Sequence, residues 1–335
     1  MTHTQRLTGQ ICITGANGFI GKQLVEALSK EELTIRILTR KSKVTFPKNV
    51  EVIIGDLTKP DCPLNQFLNG CDILFHCAGE INDINLMGLL HIEGTKKLIE
   101  SALEECRVSG KKIHWIQLSS CGAYGPPMGK PQIERTVTEN SPTHPANEYE
   151  STKTKSDELV ISACQNGQMS FSILRPSNVF GSTMTDKLLI KIIWMVKKRS
   201  FFYLGKAGAV ATYVHVNDVI NALIILAIDS RAKGEIYNLS NDCTFEELIG
   251  KISSLLVVTN PTLRFPAQFV RIPLSILSFL LKKWIHIPTL EALVMRTRYP
   301  TNKIESELNF VFSMPMPNAV EDLINDKSKI FNQLH

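Results

Sequence analysis

The chain has 335 residues, 44% hydrophobic and 21% charged, which is ordinary globular usage and excludes a disordered or fibrous protein. A formal charge of +5, with no one-sign block and no basic stripe interleaved with aromatics, gives no footing for nucleic-acid binding. The eight cysteines form no CxxC pair and no zinc-type His/Cys cluster, so they read as reduced thiols in a cytoplasmic protein without a metal site.

The polar N-terminus leads within ten residues into a strand, so no signal peptide is expected ahead of the fold. From residue 10 to about 175, short apolar β-branched runs alternate with amphipathic segments of helical length. Strands are expected at 10–14, 34–39, 50–54, 72–77, 112–118 and 170–174, with helices at about 19–30, 83–109 and 147–166. This alternation is the signature of an α/β fold, a doubly wound parallel sheet of Rossmann type. Right-handed crossovers would put all strand C-termini on one edge, where ligands bind.

The first strand runs into the first helix through Thr14-Gly15-Ala16-Asn17-Gly18-Phe19-Ile20-Gly21. Gly15 suits a tight turn, Gly18 the approach of backbone N–H groups to a pyrophosphate, and Gly21 close packing of helix on strand. The helix N-terminus would then face the anion with its positive end. Asn17, Phe19 and Ile20 complete the cradle. The second strand ends in Ile37-Leu38-Thr39-Arg40-Lys41, without the acid that would hold ribose hydroxyls. A guanidinium at Arg40 suits a 2′-phosphate, so NADP(H) is favoured over NAD(H). Asp56 and Leu57 follow the third strand, where an adenine amino group could be read. Cys77, Ala78 and Gly79 end the fourth as small residues beside the cofactor.

Ser119 and Ser120 end the fifth strand on the same edge, where a hydroxyl can bond a substrate oxygen. Tyr149 and Lys153 then stand four apart on a helix, which stacks them on one face. A phenol titrates near pH ~10 and a working base near ~7, so nearby positive charge from Lys153 and an oxidised nicotinamide is expected to lower it. Beyond residue 176 the alternation becomes irregular, with Gly/Pro punctuation, as in a smaller substrate lobe. Residues 1–175 are thus expected to form the cofactor domain and 176–335 mainly the substrate lobe. Residues 212–240 look like a helix and strand returning to the main sheet. The apolar stretch at 265–288 is too short to span a bilayer. It reads as a helix packed on the core or as an interfacial helix meeting a membrane or a lipid-linked substrate.

Taken in order, TGxxGxxG at 14–21, SSxxxYG at 119–125, YxxxK at 149–153 and Arg175-Pro176-Ser177-Asn178-Val179-Phe180-Gly181 resemble the extended short-chain dehydrogenases/reductases. The resemblance is to the nucleotide-sugar epimerase/dehydratase type and covers nearly the whole chain. It implies Ser120 as catalytic serine, Tyr149 as acid/base, Lys153 as the ribose-binding lysine, Pro176 beside the cofactor and Asn178 on a sugar diphosphate. It also implies association as a homodimer through the helices near 83–109 and 147–166. Three departures stand out. Cys121-Gly122 replace the Asp-Glu pair of the sugar dehydratases, His91 replaces an asparagine, and Ala211 replaces an arginine expected before Tyr213. The resemblance thus implies a keto-sugar reductase or 4-epimerase acting on an activated sugar. It extends also to steroid dehydrogenases and dihydroflavonol reductases, whose substrates are apolar alcohols and ketones, and a non-catalytic NADP-binding role is the third alternative.

Overall fold

The computed structural model describes residues 7–42, 45–128, 133–182, 187–266 and 292–325. Its strands, in chain order, begin with β1 (Gln10–Thr14), β2 (Thr34–Thr39), β3 (Val50–Ile54), β4 (Cys71–His76) and β5 (Ile113–Leu118). After the short β6 (Arg135–Thr136) come β7 (Met169–Pro176), β8 (Asn178–Phe180), β9 (Tyr203–Leu204), β10 (Val210–Ala211), β11 (Tyr213–His215) and β12 (Glu235–Leu239). The seven long strands form one parallel sheet in the order β12-β7-β5-β4-β1-β2-β3. Strand order reverses between β1 and β4, and a crevice opens there at the strand C-termini. Every residue of β5 is buried, as a central parallel strand covered on both faces requires.

Helices α1 (Phe19–Leu28) and α7 (Val216–Ile228) cover one face and share a core with Ile11, Ile13, Phe75, Ile116 and Tyr237. The other face carries α2 (Leu64–Leu68), α3 (Ile84–Gly88), α4 (Thr95–Ser109) and α5 (Glu148–Ala163), packed around Phe67, Leu74, Trp115 and Val160. The expected continuous helix over 83–109 is interrupted. Between α3 and α4, Leu89–Gly94 is π-helical, and the short α2 was not foreseen because its five residues offer no period.

A second apolar cluster joins α6 (Lys187–Lys197) and α8 (Phe245–Leu255) to Phe180, Tyr213, Met316 and Leu323. Helix α8 begins at a capping box, in which Thr244 and Glu247 bond each other's backbone N–H. The 212–240 stretch does rejoin the sheet: β12 pairs with β7 in parallel register, Ile236 opposite Ile173. Apart from Phe265 and Pro266, the apolar 265–288 segment lies outside the described residues. Among the described residues no helix is long and apolar enough to cross a membrane.

Candidate active site

The turn after β1 is shaped by its glycines. Gly15 has φ +70°, and a Cβ there would lie 2.5 Å from the Cys77 carbonyl at the end of β4, so only glycine lets the two strand ends meet. A Cβ on Gly21 would lie 2.2 Å from the Gly15 carbonyl oxygen, which sets how closely α1 lies on β1. Gly18 differs: its Cβ would meet only that same oxygen, at 3.1 Å, and its remaining space faces the crevice.

Two adjoining cavities occupy the crevice. The smaller, about 230 Å3, runs from Gly15, Asn17 and Gly18 past Arg40 and Lys41 to Asp56 and Leu57. The larger, about 910 Å3, reaches from Phe19, Ile20 and Gly21 to Ser120, Tyr149, Lys153, Pro176 and Asn178. Asn17, Gly18, Cys77, Ala78 and Gly79 line both. Every residue given a catalytic, cofactor or substrate role from the sequence lines one or other of these two cavities. Sequence reading missed Thr39, whose hydroxyl accepts from the Asn17 amide and from Lys41 N–H, tying the glycine turn to the end of β2. Arg40 is exposed at the mouth. Burial raises the Asp56 carboxyl, but the N–H and hydroxyl of Thr58, at 2.9 and 2.8 Å, together with Arg40 and Lys59, bring it below its ordinary value.

Helix α5 starts at Asn147, whose side chain accepts from Glu150 N–H. It presents Tyr149, Lys153 and Asp157 along one face at intervals of four. Three consecutive residues at the end of β5 meet them. The Lys153 ammonium donates to the Leu118 carbonyl at 2.5 Å, the Ser119 hydroxyl donates to Asp157 Oδ2 at 2.7 Å, and Ser120 lines the larger cavity together with Tyr149. Ser120 also caps the helical turn Cys121–Tyr124, accepting from Gly122 N–H at 3.0 Å. Burial is the largest influence on the Tyr149 phenol and holds it above its ordinary value, with Ser120 opposing it. Burial also lowers the Lys153 ammonium, while Asp157 and Cys77 act to raise it.

His91, the departure in the π-helical segment, is a strut. Glu80 N–H donates to its Nε2 at 2.9 Å, so Nδ1 carries the proton and donates to Thr152 Oγ1 at 2.8 Å. It links the loop after β4 to α5 and lies edge-on to Tyr149 at 5.9 Å. Asn178 spends its side-chain N–H on the Thr212 carbonyl at 2.9 Å, leaving its oxygen toward the larger cavity's rim. Ala211 is buried in β10, paired with Cys243, and supplies no charge. His215 and Asp218 are structural: the first accepts from Asn217 N–H, the second from Ser313 N–H and hydroxyl.

This order of glycine turn, serine strand end and Tyr/Lys helix face meets its counterpart among known proteins in the NAD dependent epimerase/dehydratase family, whose profile matches residues 11–240. The chain belongs to that family. It is 22% identical over 296 residues to the 3beta-hydroxysteroid-dehydrogenase/decarboxylase isoform 2 of Arabidopsis thaliana, covering 78% of this chain and 50% of that protein. The chain thus spans about half the length of that relative. It is 23% identical over 267 residues to a 4-hydroxy-2-methyl-3-oxo-4-farnesyl-3,4-dihydroquinoline-1-oxide ketoreductase of Stigmatella aurantiaca, covering 78% and 75% of the two chains. In fold it is similar to MoeE5, solved in complex with UDP-glucose and NAD, with a TM-score of 0.71 at 19% identity over 96% of this chain and all of that one. The family is one of oxidoreductase-type enzymes, and the seven-stranded sheet is its fold.

Proposed function

We propose that this family member transfers a hydride to or from a carbinol or ketone carbon of an activated sugar, as a keto-sugar reductase or a 4-epimerase, with NADP(H) preferred over NAD(H). The observation that carries the chemistry is the meeting of Ser120, Tyr149 and Lys153 in the cavity that also holds the glycine turn. The residues fit a dinucleotide: Gly18 keeps open the space beside the turn that a Cβ would partly fill, and α1 presents its N-terminus there. Gly15 to Gly21 would hold the pyrophosphate, Asp56 the adenine, Arg40 the 2′-phosphate, and Lys153 the nicotinamide ribose. The nicotinamide, when bound, supplies or accepts the hydride.

The protein's own groups handle the oxygen and its proton. Burial keeps the Tyr149 phenol protonated, which suits it to donate to a ketone oxygen during reduction, and the phenolate takes the proton back during oxidation. Ser120 holds the substrate oxygen beside the phenol. Lys153, fixed by the Leu118 carbonyl, keeps a positive charge below the pair. Asn147, Ser177 and Asn178 give the larger cavity a polar rim that suits sugar hydroxyls. Cys121 and Gly122 offer no carboxylate for eliminating water, which argues against dehydration.

A second reading keeps the chemistry and exchanges the sugar for an apolar ketone or alcohol. Buried Ala211, with no cation to meet a diphosphate, favours it, as do the names of the two relatives above. Titration of NADPH and NADH into the wild type and Arg40→Ala tests the cofactor. NADPH affinity should fall on the order of 10-fold to 100-fold in the variant, the ~1.5–3 kcal/mol of a charge-assisted bond, with NADH unchanged. NADH preference, or NAD⁺ that copurifies and does not exchange, would refute the Arg40 assignment and favour the epimerase. Turnover of UDP-hexoses but not of hydrophobic ketones would decide between the substrates.

A further inference from the structure

One buried charge lies beside the catalytic face of α5 without belonging to the Ser/Tyr/Lys set. Asp157 is 1% exposed and sits two turns beyond Tyr149 and one beyond Lys153. Its Oδ2 accepts three bonds, from the Ser119 hydroxyl at 2.7 Å and from Arg175 Nη2 and Nε at 3.0 and 3.2 Å. Its Oδ1 is buried without a hydrogen-bond partner among the described residues. A buried carboxylate oxygen left unpaired is costly, and structure alone would be better served by an uncharged residue. We propose that Asp157 is a positioning residue for the reaction above, a fixed negative charge behind the strand end that locks Ser119–Ser120 in register with Tyr149.

The Leu118 carbonyl accepts from Lys153, the Ser119 hydroxyl donates to Asp157, and Ser120 lines the cavity with Tyr149, so three consecutive residues at the end of β5 face α5, and Asp157 grips the middle one. The charged and titratable groups around Lys153 are His76 on β4, Cys77 beyond it, His91 on the π-helical segment and Asp157 on its own helix. Burial keeps both imidazoles neutral and pushes the Cys77 thiol up to about 12, which leaves Asp157 as the carboxylate acting on Lys153. Around Asp157 itself stand Arg175, Lys153 and Ser119. Arg175 pairs with Asp157 and lays its guanidinium over the Tyr124 ring, 5.0 Å away.

This inference rests on Tyr149 being the proton-transfer group, and it is tested on that group directly. Phenolate absorbance is followed against pH in the full chain, and the Tyr149 contribution is isolated by difference from Tyr149→Phe. Asp157 acts to raise the phenol, so Asp157→Asn should move its midpoint to lower pH, by a few tenths to about one unit, while Asp157→Glu should restore it. A merely structural role would change thermal stability and leave the midpoint where it was, and that result would overturn the proposal. Asp157→Asn leaves Arg175 buried without its partner, so the double variant Asp157→Asn/Arg175→Met is measured beside it. With the Asp157–Arg175 pair removed as a whole, it should show the same downward shift. NADPH and NADH titrations of the wild type separate the two layers. Absence of binding removes the functional reading and this proposal together; binding with an unmoved midpoint removes only the assignment of Asp157.

Discussion

At the residue scale, the short list of groups proposed to touch the reacting atoms makes sharp demands. Tyr149→Phe keeps the ring and its edge contact with His91 and removes only the hydroxyl. Turnover should fall by roughly 10²–10⁴-fold with cofactor affinity retained, measured by steady-state kinetics beside a binding titration. Unchanged turnover would take the phenol out of the chemistry. His91 makes a different prediction. Burial pushes it down to about 3, so the folded chain holds it neutral while the unfolded chain protonates it near pH ~6.5. Its contribution to stability is therefore complete above ~6.5 and lost as pH falls toward 3. Urea denaturation at several pH values in that window should show a shallower loss of stability in His91→Gln than in the wild type; parallel curves would contradict the buried neutral imidazole. Ser120, Tyr149 and Lys153 were visible in sequence because their spacing repeats the geometry of a helix turn and a strand end. Asp157 follows Lys153 at the same spacing, and that signal was available, but nothing local shows that Ser119 and Arg175 come from two strands to meet it.

At the element scale, the glycine turn separates packing from ligand binding. Gly21→Ala places a methyl 2.2 Å from the Gly15 carbonyl and must push α1 off β1, so it should lower stability by ~1–3 kcal/mol. Gly18→Ala meets that oxygen at 3.1 Å and requires a shift of only a few tenths of an ångström, so its Tm should stay close to wild type while dinucleotide affinity falls. Thermal melts and cofactor titrations of the two variants check this, and equal destabilisation by both would mean that Gly18 is also a packing glycine. The five N-terminal sheet strands and β12 were legible within a residue or so because buried parallel strands are short β-branched runs. The break in the 83–109 helix was not. A π-helical turn changes no residue type; it is stabilised by the tertiary bonds of His91 to Glu80 and Thr152.

For the whole molecule, the two apolar clusters meet near the crevice, where Phe19 packs against both and also lines the larger cavity. Binding there should therefore register globally. Saturating dinucleotide at ~100 times Kd should add ~2.7 kcal/mol to stability and raise Tm in the wild type but not in Gly18→Ala, as a thermal melt would show; equal shifts in both would place the ligand elsewhere. Phe180, fully buried between Tyr213 and His215, should cost ~3–5 kcal/mol on truncation to alanine, by denaturant titration. The sequence by itself determined the fold class and pointed to the proposed cofactor turn and reacting residues, because periodicity and glycine stereochemistry are local properties written in consecutive residues. Only the tertiary structure decided where Lys153 sends its charge, what His91 joins and which acid stands behind the site. Those are contacts between residues up to 61 positions apart, set by how strands and helices stack rather than by any neighbour in the chain.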